Sequence, residues 1–104
     1  GLKSENVDMD DIIIISVNGG PMDLVNFAEG ELDYAVGQCP GFHGYLCALT
    51  ILEYLKGNPT SELIWTPQVW LDPTNYEEKA IPWQMSLEWI PVAEEFIRTG
   101  ELVY

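Results

Sequence analysis

The chain has 104 residues, with 17 acidic side chains against 4 basic ones and a formal net charge of −13. That length limits it to one domain, since a single core typically takes ~100–150 residues, and a hydrophobic content of 47% excludes a disordered acidic tail. Four scattered cations, Lys3, Lys56, Lys79 and Arg98, exclude direct nucleic-acid binding, and no apolar run approaches the ~20 residues that span a bilayer.

Residues 1–11 are polar and acidic, and Ile12, Ile13, Ile14 and Ile15 follow without alternation. An unbroken β-branched run reads as a strand covered on both faces, as in a parallel sheet. Asn18-Gly19-Gly20-Pro21 stops it, and Pro21 suits a first helical position because its missing N–H would be unpaired there anyway. A helix over 22–29 with Gly30 as its stop is expected next, then a strand over 32–37 broken by Gln38-Cys39-Pro40-Gly41. Tyr45, Ala48, Leu49, Leu52 and Leu55 recur at spacings of three and four, which predicts a helix with that stripe inward. Lys56 suits its last turn, and Gly57-Asn58-Pro59 ends it. Residues 63–71 have strand composition with Pro67 inside, so they form an edge strand or a chain crossing. Asp72-Pro73-Thr74-Asn75 is a turn, and a helix over 91–99 capped by Gly100 closes the chain.

Alternating strands and helices with short Gly/Pro connections imply an α/β fold built on a parallel open sheet flanked by helices. In such sheets ligands sit at the carboxyl ends of strands, beside helix N-termini. Two strand ends here lead into helices, and each carries one uncharged amide, Asn18 and Gln38. An amide offers two donors and an acceptor, which suits hydroxyls or a small polar solute. The competing reading makes Asn18 a turn former and Gln38 a solvated strand end. Gly19-Gly20 is too short to cradle a phosphate.

Cys39 and Cys47 cannot build a disulfide scaffold, and one histidine leaves a Cys/His zinc site short of ligands. A Cys39–His43 catalytic pair matches no recognised nucleophile spacing; two free thiols and a surface or cleft-lip His43 are the simpler reading. The acids Glu77-Glu78 and Glu94-Glu95 are neighbours that point apart on a helix, so a glycosidase pair has no placement signal. Trp65, Trp70, Trp83 and Trp89 suit stacking on a sugar as well as a core or an interface. The chain opens on Gly1 with no signal-peptide pattern, which suggests a removed leader or a piece of a longer protein.

The run 11–19, then Gly37-Gln38-Cys39-Pro40, Gly44-Tyr45-Leu46 and Tyr54-Leu55-Lys56-Gly57, resembles the C-terminal part of type I periplasmic sugar-binding proteins. The effector domains of lactose-repressor type regulators share that fold. Asn18 falls where the family has its ligand-binding Asp, and Gln38 where it has its ligand-binding Gln; Leu71-Asp72-Pro73-Thr74-Asn75 resembles the segment after the last crossing between lobes. The resemblance covers residues 10–77; it makes residues 1–77 a partial C-terminal lobe and leaves 78–104 as a helical C-terminal extension. It implies a non-enzymatic, extracytoplasmic solute-binding protein that takes a sugar or similar polar ligand for an ABC-type transporter or sensory receptor, with no cofactor and no metal. Its further partner is a membrane permease or receptor, reached through the intact parent. Asn18 in place of Asp removes a charge, so the ligand is less hydroxyl-rich or brings its own acceptor. Since the family's N-terminal lobe is absent, the chain reads as a fragment of a two-lobed protein. An effector-binding domain of a transcription regulator and a small α/β enzyme using Cys39 or a carboxylate are the alternatives. An incomplete lobe with open strand edges is also expected to self-associate, or to fold its own tail across the uncovered face.

Overall fold

A computed structural model describes residues 1–104, and contacts divide the chain into two compact units. The first comprises residues 1–38 and 68–81, the second 39–67 and 82–104.

The first unit carries β1 (Ile15–Asn18), α1 (Pro21–Ala28), β2 (Tyr34–Gln38), β3 (Gln68–Leu71) and the short α3 (Tyr76–Lys79). The strands form one sheet in the order β1-β2-β3. β1 and β2 are parallel, with Ile15 opposite Tyr34 and Asn18 opposite Gly37, as a β-α-β unit requires. β3 pairs with β2 antiparallel, Gln38 opposite Gln68 and Ala35 opposite Leu71, so the sheet is mixed rather than the parallel one expected. The physical reason lies in the connection. Between β2 and β3 the chain holds a helix and then a non-helical stretch with Pro59 and Pro67, so it is no simple helical crossover, the link that enforces parallel strands. β3 starts directly after Pro67 and lies at the sheet edge, where a residue lacking an N–H is tolerated.

Phe27, Leu32, Ala35 and Leu71 form this unit's core, with Ile14, Val69, Tyr76 and Ala80 packed against it. Phe27 from α1 stacks on Tyr76 from α3 with ring centroids 5.2 Å apart. Only one face of the sheet is covered this way. The strand does not include Ile12, Ile13 or Ile14: Asp8 to Asp11 form a capped 3-10 turn, and the Ile14 N–H donates to the Asp33 carboxylate at 2.7 Å. Lys3 pairs with Glu31 and ties the amino-terminal turns to the segment before β2.

The second unit is built on α2 (Pro40–Leu55) and α4 (Ile90–Thr99). Its buried residues are Cys39, Phe42, Leu46, Pro67 and Ala93, and Phe42 meets Phe96 edge to face at 5.5 Å. The stripe facing inward on α2 is thus Phe42 and Leu46, while Leu52 and Leu55 of the expected stripe are exposed. This helix is apolar around most of its circumference, so periodicity does not select a face; the ring of Phe96 does. α4 stops as expected at Gly100, which adopts φ 76°. No helix is long and apolar enough to cross a membrane.

Candidate functional site

Parallel pairing of β1 and β2 places both strand ends at one edge of the sheet, so residues twenty apart in sequence become neighbours. The Gln38 side-chain N–H donates to the Asn18 side-chain oxygen at 2.6 Å. The structure therefore brings the two sequence-identified amides together, on an open surface. With that bond made, the pair still offers the Asn18 amide N–H groups, one Gln38 N–H and the Gln38 carbonyl oxygen. A sugar hydroxyl needs that combination of donor and acceptor.

The loop behind Asn18 is held in an unusual shape. Asn18 adopts φ 125° and Gly19 φ 63°, both on the side that only glycine enters freely. A Cβ on Gly19 would lie 2.6 Å from the Gly37 backbone, so glycine is required there by space as well as by φ. Asp23 fixes the loop: its carboxylate accepts from the Ser16 hydroxyl at 2.9 Å and from the Gly19 N–H at 3.0 Å. Asp23 sits in the first turn of α1, where a carboxylate also gains from the helix dipole. The buried glycine and the carboxylate clamp together hold the strained backbone of this turn in place.

Two residues near the pair escape sequence reasoning. Asp23 carries a usable signal, an acid three positions after Gly20, where an acid can clamp the preceding loop. Gln68 has none, because its position opposite Gln38 depends on the antiparallel direction of β3. Opposed residues in such a pair share a face, so Gln68 extends the amide row.

Other candidates separate. Cys39 is buried and Cys47 exposed, both as free thiols. The Cys39 sulfur accepts from the Phe42 N–H at 3.4 Å and faces the Trp83 carbonyl at 3.9 Å, so it acts as the cap of α2. His43 Nε2 is buried with no hydrogen-bond partner, which leaves no Cys39–His43 relay through that atom. No group of three or more His, Cys, Asp or Glu side chains is placed to hold a metal. Two clefts lie elsewhere. One of ≈ 280 Å³ in the first unit is lined by Leu2, Lys3, Ile14 and Glu31, and one of ≈ 470 Å³ in the second is mostly apolar, with Trp65, Phe96 and Ile97 in its wall beside Ser61. Neither includes Asn18 or Gln38. Protein-family models, curated proteins and solved structures yield no match to this chain.

Proposed function

We propose that this chain binds a small polar solute of sugar type through Asn18 and Gln38, as part of the C-terminal lobe of a two-lobed extracytoplasmic binding protein. Such a protein delivers its ligand to a membrane transporter or a sensory receptor and performs no chemistry on it. The observation that carries the reading is the amide pair itself. Two uncharged side chains, joined at 2.6 Å, sit at the carboxyl ends of adjacent parallel strands, the place where open α/β sheets bind ligands. The strained, clamped turn at Asn18 and Gly19 supports it, because a preformed loop loses less entropy when it binds.

Calorimetric titration of the intact two-lobed parent with a panel of mono- and disaccharides tests the reading. Binding of at least one is expected, with Asn18→Ala and Gln38→Ala each weakening it by about five- to a hundred-fold, the cost of a lost hydrogen bond in a desolvated site. Saccharide affinity that survives both substitutions, or no saccharide binding at all, overturns it. Cys39→Ser leaves binding unchanged, whereas a thiol enzyme would be abolished by it.

A further inference from the structure

The two faces of the sheet differ in what they carry. Ser16, Ala35, Gly37 and Leu71 point to the covered side. The register puts Ile15, Val17, Tyr34, Val36 and Trp70 on the other, with Gln38 and Gln68 at one end of that face, and Ile13 continues the row before β1. Ile13 is 74% exposed, Ile15 59%, Val17 67% and Trp70 53%. Tyr34 and Trp70 lie against each other with centroids 5.3 Å apart, so the aromatic part of the face is already assembled. Charged side chains make up 20% of the sequence, yet none occurs from Ile12 to Asn18 or from Gln68 to Leu71. Proteins that keep an edge strand solitary guard it with charge, and β1 is a terminal strand without any. A surface depleted of charge and enriched in aromatics has the composition of an interface core.

We propose that this open sheet face is the interface of a symmetric homodimer, two copies packing their three-stranded sheets face to face. Area favours a second copy as the occupant. The exposed parts of Ile13, Ile15, Val17, Tyr34 and Trp70 amount to about 500–600 Å² per copy, most of the ~800 Å² that each partner gives to a standard interface. A two-fold axis through the face sets each apolar patch on its own equal, so complementarity needs no other protein. The like charge of the two copies is kept off the contact and acts only through solvent, where salt screens it.

Sedimentation velocity across a concentration series, at low and high salt, reads the proposal directly. The 104-residue chain is expected to sediment at twice its 11.7 kDa mass, with tighter association at high salt. Val17→Lys is expected to weaken the dimer about tenfold or more. Because it also lowers the negative charge of each copy, electrostatics alone would strengthen the dimer, so a loss reports the buried face. Ile13→Lys lies outside the strand ladder and gives the same loss without touching the sheet, with far-UV dichroism confirming the fold of both variants. Leu55→Lys, on the exposed side of α2, leaves association unchanged. A monomer at every concentration, association that salt weakens, or a Leu55→Lys loss equal to that of Val17→Lys overturns the proposal. Saccharide binding by a monomer would leave the solute-binding reading standing and remove only this one.

Discussion

Two strand ends in this chain turn into helices, and they do so by different physics. At the end of β1 the turn is made by backbone: two residues at positive φ, a glycine against the neighbouring strand, and the Asp23 carboxylate holding the loop by two hydrogen bonds. At the end of β2 there is no loop at all. Gln38 is followed by Cys39 as the cap and Pro40 as the first helical residue, and the start of α2 is held within its own unit by burial of Cys39 and Phe42. Both begin their helix with proline, so the sequence makes them look alike. The comparison shows that a strained turn can be held where a carboxylate clamps it and its amide side chain is exposed. A helix start held by buried side chains needs no strained backbone.

Glycine substitutions should separate the two most sharply. Gly19→Ala puts a side chain at φ 63° and a Cβ 2.6 Å from the Gly37 backbone, and a loss of about 2–4 kcal/mol is expected. Gly41, inside α2, has no positive φ, but a Cβ there would lie 2.5 Å from the Met85 nitrogen. The steric conflict is thus as close as at Gly19, and only the positive φ distinguishes the two sites. Gly41→Ala is expected to cost less than Gly19→Ala in urea unfolding by the strain of that φ, about 1 kcal/mol. Equal losses would mean that the positive φ contributes nothing to the difference.

The clamp comes next in size. Asp23→Ala removes acceptors from the Ser16 hydroxyl and the Gly19 N–H, and about 1–3 kcal/mol is expected to go with them. Its counterpart, Cys39→Ser, exchanges a weak sulfur cap for a good oxygen one while losing apolar burial, so the change should stay within about 1 kcal/mol. If the serine variant loses more than the alanine variant, the β2 junction is the more demanding of the two. Asn18→Gly then isolates strain from chemistry. Glycine relaxes φ 125° and should stabilise the fold by up to about 1 kcal/mol, while the solute-binding reading requires that it weaken saccharide affinity. A glycine variant that binds as before would assign Asn18 to the turn alone.

What the sequence discloses about these junctions is uneven, and the reasons are physical. Pro21 and Pro40 mark the helix starts because proline removes an N–H the first turn does not use; Gly100 marks the end of α4 because its φ excludes most side chains. Asn18 and Gln38 could be singled out by residue type and position. Their contact, however, rests on strand register, a property of pairing rather than of either segment. The direction of β3 was not legible for the same cause, and Gln68 was lost with it. The isoleucine run misleads in a specific way. An unbroken β-branched stretch says that both faces are apolar, not that both are covered, and here one face of the sheet carries Ile15 and Val17 to the surface. On α2 the stripe 45, 48, 49, 52, 55 competes with Phe42 and Leu46 on an almost wholly apolar helix, and packing chooses between them.

The third strand end extends the comparison and gives the smallest expected effect. After β3 the chain turns through Asp72, whose carboxylate accepts from the Thr74 hydroxyl at 2.5 Å and the Thr74 N–H at 2.7 Å, while the Asp72 N–H donates to the Asn75 side chain at 2.9 Å. This turn is closed by its own carboxylate, as the β1 turn is closed by Asp23, but in solvent. The Thr74 hydroxyl and N–H, with a lesser contribution from the Asn75 N–H, hold the Asp72 carboxyl below the usual aspartate range. A carboxyl whose pKa is depressed by folding contributes stability that is whole above its unfolded pKa and fades as pH falls through the folded one. The stability difference between the protein and Asp72→Asn should thus be level from neutral pH down to the usual carboxylate range, then shrink as the medium becomes more acidic. Solvent screening keeps it small. Thr74→Ala removes the hydroxyl donor, the largest single cause, and should raise the pH at which that decline is complete and reduce its size, while leaving Asp72 ionised at neutrality. A difference between the protein and Asp72→Asn that stays constant into strong acid would show that this turn is held by the Asn75 side chain rather than by charge, and that the carboxylate clamp belongs to the β1 end alone.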